Sequence, residues 1–113
     1  MEPIKLLAQN RKARHDYFLL ETFEAGLALL GSEIKSARAG RVQLRQAYVV
    51  CRKNELWLRN AHIAQYPMAA ARNHDPLRPR KLLLHRREIQ QLLRKSSESS
   101  LTIIPTKTIY RNL

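Results

Sequence analysis

At 113 residues the chain is large enough for one modest hydrophobic core and too small for two, so residues 1–113 read as a single domain. Lys and Arg total 21 against 9 Asp and Glu, a formal charge of +12, while 44% of residues are hydrophobic; the excess charge therefore decorates a folded body. Apolar runs such as Leu27–Leu30 and Leu82–Leu84 fall far short of the roughly 20 residues that span a bilayer, Met1-Glu2-Pro3 does not open a secretory signal, and the lone Cys51 excludes an internal disulfide framework and fits a reducing compartment.

In chain order the elements read mostly as short strands. Tyr17–Phe23 and Leu27–Leu30, joined through Glu24-Ala25-Gly26, read as a hairpin. Ser32 is placed to cap a helix with Glu33 in its first turn and Lys35 and Arg38 in its last, and Gly40 stops it. Ala47–Cys51 and Leu56–Leu58, joined through Arg52-Lys53-Asn54-Glu55, form a second hairpin. His62–Pro79 reads as loop, with three prolines and an Asn73-His74-Asp75 turn signal. Lys81–Leu84 is a strand leading into a helix over Arg86–Lys95, where Ile89, Leu92 and Leu93 form one apolar stripe. Leu101–Ile104 and Lys107–Tyr110 make a last strand bent at Pro105. The expected fold is mainly β: a small OB-like antiparallel β-barrel with two or three short flanking helices, an architecture that binds oligonucleotides.

The charge is not spread evenly. Arg11, Lys12 and Arg14 form a first cluster; Lys35 to Lys53 carries six cations and no acid; Arg72 to Arg87 carries six opposed only by Asp75. Asp16 to Glu33 runs the other way, with four carboxylates and no base. A molecule basic on one face and acidic elsewhere fits a polyanion, and arginine, which outnumbers lysine two to one, suits phosphate and exposed bases.

No catalytic constellation is visible. The glycines are too scattered for a phosphate-cradling loop, and His15, His62, His74 and Cys51 lack the close paired spacing of metal sites, so neither metal nor cofactor is expected. Cys51, in an apolar strand, reads as a small buried hydrophobe. Phe18, Tyr48 and Trp57 sit in strand patterns and are expected to pack in the core, whereas Tyr66, beside Pro67, stands between burial and exposure.

The run NRKARHDYF, then ETFEAGLALLGSEIKSARAGRV, then AYVV, then DPLRPRKLLLHRREI, resembles the SsrA-binding protein (small protein B) family over Asn10 to Tyr110. The resemblance implies an OB-like barrel in a bacterial, cytoplasmic protein that binds the tRNA-like domain of transfer-messenger RNA. It implies delivery of that RNA to stalled ribosomes for rescue and peptide tagging, with binding and positioning and no chemistry by the protein itself. Glu24 matches a family position needed for RNA binding, where a carboxylate can accept hydrogen bonds from bases or 2′-hydroxyls; a turn-stabilising role is the alternative. Leu83 and His85 match RNA-contacting positions at a strand and its end. Lys35, Arg38, Arg41, Arg80 and Lys81 are expected phosphate contacts from the matching blocks and their charge. His15, with Arg14 beside it, matches a position facing the decoding centre of the small ribosomal subunit.

One departure stands out. The family pattern continues beyond Tyr110 with a return strand and a basic tail, whereas this sequence stops at Arg111-Asn112-Leu113. The expectation is a last strand without a partner, an open barrel edge, and RNA binding without support for tagging. The chain is expected to act as a monomer, with no membrane partner. Rival readings are a general RNA- or ribosome-associated OB module, a metal-dependent nuclease using Asp16, Glu21 and Glu24, and a membrane-surface protein, for which Arg86–Lys95 is too short.

Overall fold

The computed structural model describes residues 4–11, 22–99, 103, 105 and 107–111. Its strands are β1 (Ile4–Gln9), β2 (Gly26–Leu27), β3 (Val42–Gln43), β4 (Tyr48–Arg52), β5 (Glu55–Arg59), β6 (His62–Ile63), β7 (Arg80–Leu83) and β8 (Lys107–Arg111). Two helices, α1 (Gly31–Arg38) and α2 (Arg86–Ser99), and a 3-10 segment over Pro67–Arg72 lie wholly within the described residues.

The strands form three antiparallel groups: β2-β7-β5-β4, β3-β6 and β1-β8. Among the described residues the fold is thus mainly antiparallel β with two helices, OB-like in outline, and the described strands do not close into a continuous barrel. Single bonds stitch the groups together. The Val49 amide of β4 donates to the Ile103 carbonyl at 3.0 Å, ahead of β8. Buried Asn10, just past β1, donates through Nδ2 to the carbonyls of Leu44 (3.1 Å) and Pro105 (2.9 Å).

The β4–β5 hairpin follows from its residues. Leu56 and Leu58 alternate with Glu55, Trp57 and Arg59, so one face is apolar and buried. Lys53 and Asn54 both take left-handed dihedrals (φ 52° and 63°), the two-residue turn whose twist matches the flanking strands. Leu44, Ala47, Leu56, Leu58, Ala61 and Leu82 pack with Ile89 of α2, and Leu92 and Leu93 lie against this cluster as the helical stripe predicts. Gly40, at φ 77°, ends α1 as expected, its amide donating to the Ala37 carbonyl at 2.9 Å.

Several expectations change. The first cap is not Ser32 but Leu30, whose amide is accepted by the Glu33 carboxylate at 2.8 Å; Ser32 lies inside the helix and hydrogen-bonds elsewhere. β2 pairs with β7, while residues 17–21 of the expected first hairpin strand lie outside the described residues. The 62–79 loop contains β6 and the 3-10 segment, because His62 and Ile63 find partners in Gln43 and Val42. Cys51 is exposed, since its strand reaches beyond the core near the hairpin turn. β8 does have a partner: β1 pairs with it from Ile4↔Arg111 to Gln9↔Lys107, with a register shift between Leu6 and Ala8.

Candidate nucleic-acid interface

The register of β2 against β7 builds one surface row. Gly26 pairs with Leu83 and Leu27 with Leu82, and the Ala28 amide donates to the Lys81 carbonyl at 3.0 Å. The ladder ends at Gly26 and Leu83, and Glu24 and His85 lie two residues beyond this last pair on their respective segments, positions that the antiparallel register would set level. Alternation puts Leu82 inward, 5% exposed, and Leu83 outward, 54% exposed. Leu83 lies beside Gly26, where an added Cβ would stand 3.4 Å from its Cβ and Cδ1, so β2 contributes almost no bulk to the row. Glu24 and His85 are both exposed. The His85 amide donates to Glu88 Oε1 at 2.9 Å, which starts α2 and fixes the direction in which the backbone leaves the strand.

Across the ladder, Lys81 pairs with Trp57, which pairs in turn with Val50. Lys81 Nζ lies 3.7 Å from Glu55 Oε1, a partly exposed ion pair of small energetic weight that a phosphate can displace. The expectation that Tyr48 and Trp57 pack in the core is corrected here. Both are half-buried and face away from Leu56 and Leu58, on the side that carries Lys81. The indole Nε1 donates to the Arg52 carbonyl at 3.3 Å.

A second cationic edge is carried by α1 and the turn after it. Lys35, Arg38 and Arg41 are exposed, and the Lys35 ammonium stands 5.6 Å from the centre of the half-buried Tyr66 ring, a cation–π contact. Its inner side is held by a buried ion cluster. Glu33 is fully buried and receives Arg78 Nη2 on Oε1 (2.6 Å) and Arg80 Nε on Oε2 (2.6 Å). Arg80 also donates through Nη1 to the Ala61 carbonyl at 2.6 Å, so one carboxylate ties α1 to β7 and, through Arg80, to the β5–β6 connection. Burial alone would raise the Glu33 carboxyl; hydrogen bonds from Arg78, the Leu30 amide and Arg80 outweigh it and hold the group below its ordinary range.

The expectation of Arg80 on phosphate is corrected: its side chain is 0% exposed and its guanidinium is engaged by Glu33 and Ala61. It frames the surface from beneath and cannot reach a ligand. Nothing in the residue pattern signals the support under α1, where Ser32 Oγ and His74 Nδ1 are 2.7 Å apart and His74 Nε2 lies 2.9 Å from the Ile63 carbonyl. Because a carbonyl only accepts, Nε2 carries a proton, and in the neutral imidazole Nδ1 then accepts from Ser32. Arg14 and His15 lie outside the described residues, as do Asp16 and Glu21. Among the described residues no group of three or more His, Cys, Asp or Glu could hold a metal, and no helix is long and apolar enough to cross a membrane.

Fold and surface together define a small OB-like module whose outward row of carboxylate, aliphatic and imidazole groups lies beside exposed cations, a chemistry suited to a polyanion. The family model described as "SmpB protein" matches residues 7–113. The SsrA-binding protein of Anoxybacillus flavithermus (strain DSM 21510 / WK1) is 53% identical over 108 residues, covering 96% of this chain and 70% of that one. The SsrA-binding protein of Desulforudis audaxviator (strain MP104C) is 48% identical over 111 residues, 98% of this chain and 72% of its own. A solved structure described as "tmRNA-SmpB: a journey to the center of the bacterial ribosome" superposes with a TM-score of 0.71 at 48% identity, over 88% of this chain and 70% of that one. The chain belongs to the SmpB family.

Proposed function

We propose that this protein binds the tRNA-like domain of transfer-messenger RNA and carries it to stalled ribosomes, working in the bacterial cytoplasm as a binding and positioning factor and not as an enzyme. Family membership and the likeness to SmpB described with transfer-messenger RNA and the ribosome support this reading. The single observation that supports particular residues is the β2–β7 register, which pairs Gly26 with outward-facing Leu83, the exposed Glu24 and His85 each lying two residues beyond that pair. Glu24 accepts hydrogen bonds from base amino groups or 2′-hydroxyls, Leu83 packs on a base or ribose, and His85 adds a hydrogen bond; such a row reads the shape of a folded loop. Lys35, Arg38, Arg41 and Lys81 supply phosphate contacts around it. Arg14 and His15 are assigned to the decoding region of the small ribosomal subunit.

The test is a titration of the tRNA-like domain beside an ordinary transfer RNA at two salt concentrations. A preference for the former that survives at higher salt is expected; equal binding that collapses with salt would leave only a general cationic RNA module. Leu83→Ala should weaken the specific complex while leaving thermal stability within about 0.5 kcal/mol, because the side chain it removes is surface-exposed.

A further inference from the structure

Away from that row, an open cavity of about 490 Å³ lies between the β3–β6 ladder, the turn at Gln46 and the end of β5, lined by Gln43, Arg45, Gln46, Asn60, His62 and Leu77. Its volume falls within the range of small-ligand sites. Each lining residue is held by backbone that the core dictates. Gln43 and His62 are direct cross-strand partners. Arg45 and Gln46 are the two central residues of a turn closed by the Ala47 amide on the Leu44 carbonyl (3.0 Å); Leu44 and Ala47 are both buried, so the turn is anchored and its centre projects outward. Asn60 is fixed in the left-handed region at φ 62°. Leu77 is kept beside β6 because the Ile63 amide donates to the Pro76 carbonyl (3.0 Å) and the Leu77 amide to Asp75 Oδ1 (2.9 Å).

The chemistry of this wall is specific. All five polar residues are exposed, and among the described residues none of their side chains has a hydrogen-bond or ion-pair partner. No carboxylate lines the cavity, which favours an anion. Three amides and an imidazole supply donors and acceptors together, more than a bare phosphate needs, and the half-exposed Leu77 offers an apolar wall to a ring. We propose that this cavity holds one unpaired ribonucleotide of the bound RNA, with the base against Leu77, its edge read by Gln43, Gln46, Asn60 and His62, and its phosphate on Arg45. The proposal rests on the RNA-binding reading above and adds to it a second, base-reading site.

The experiment has two arms on the full chain. In the first, 5′-AMP, GMP, CMP, UMP and inorganic phosphate are each titrated while the side-chain amide resonances of Gln43, Gln46 and Asn60 are followed by NMR. The nucleotides are expected to move these amides, unequally among the four bases, and phosphate to move only the surroundings of Arg45. In the second, the tRNA-like domain is titrated against wild type, Gln43→Ala/His62→Ala and Arg45→Ala. A loss of affinity of about tenfold or more in the double variant is expected, the scale of one good base contact; all three positions are exposed, so folding is preserved. RNA affinity within twofold of wild type in both variants would overturn the proposal. So would movement of the amides by a Glu-rich peptide and not by nucleotides, which would mark a protein-binding site. If wild type fails to bind the RNA, the reading under Proposed function falls; the mononucleotide arm then decides alone, its shifts supporting the cavity and their absence overturning it.

Discussion

Two serines on α1 show how a single hydroxyl can have opposite effects one turn apart. Ser32 Oγ donates to His74 within a buried network, so Ser32→Ala strands the imidazole nitrogen and should destabilise the fold by about 1–3 kcal/mol. Ser36 Oγ is buried with no partner among the described residues, and alanine is the better helix former, so Ser36→Ala should stabilise by about 1 kcal/mol. Urea denaturation of both variants reads the two signs in one experiment. Glu33 makes a sharper prediction. Glu33→Gln removes the charge facing two arginines and should cost about 3–5 kcal/mol at neutral pH. The folded carboxyl lies below its ordinary value of 4.5, so its stabilising effect is complete above that pH and is lost as pH falls through the lower folded value. The stability gap between wild type and Glu33→Gln should therefore narrow on acidification, and denaturation series at neutral and acid pH measure it. A gap that stays constant would mean that the cluster does not titrate as described.

Among the elements, the β4–β5 hairpin is the most legible in the sequence, because alternating leucines and a compact polar turn are both local signals. Its turn can still be improved. Lys53 and Asn54 occupy left-handed positions that favour Asn-Gly, so Lys53→Asn combined with Asn54→Gly should raise stability by about 1 kcal/mol, read as a higher melting temperature. The same alternation sets Trp57 opposite Leu56 and Leu58, while its hydrophobicity argues for the core; the period is the better guide than the residue type. Helix α1 is legible but its cap is not, because the role of Glu33 depends on arginines far along the chain. Arg80, the guanidinium partner, is 47 residues away, and a charge count alone cannot separate a phosphate-binding arginine from one sealed against a carboxylate. β6 leaves no trace in the pattern, because two residues give no periodicity at all. The Glu24–Leu83–His85 row comes from a family resemblance; only the register explains why those positions belong together.

For the whole molecule, the structure separates cations that hold the fold from cations that face solvent, and the net charge of +12 conceals that division. Arg78 and Arg80 are engaged by Glu33, whereas Lys35 and Arg41 project from α1 and the turn after it. Lys35→Ala or Arg41→Ala should each lower the salt dependence of RNA affinity by roughly 0.7–0.9, the slope that one neutralised phosphate supplies, with binding weakened alike for specific and nonspecific RNA. An unchanged slope would remove the residue from the phosphate-binding set. The pairing of β1 with β8 has a consequence of a different kind. It joins strands from opposite ends of the described chain, and Asn10 reaches to Pro105 across the same gap. Pairings so distant in sequence meet their loop-closure entropy late. During synthesis, β1 emerges first and must wait, its ladder edge unsatisfied, until β8 has left the exit tunnel. A chain of this family thus cannot finish the described fold until its last described strand has been synthesised.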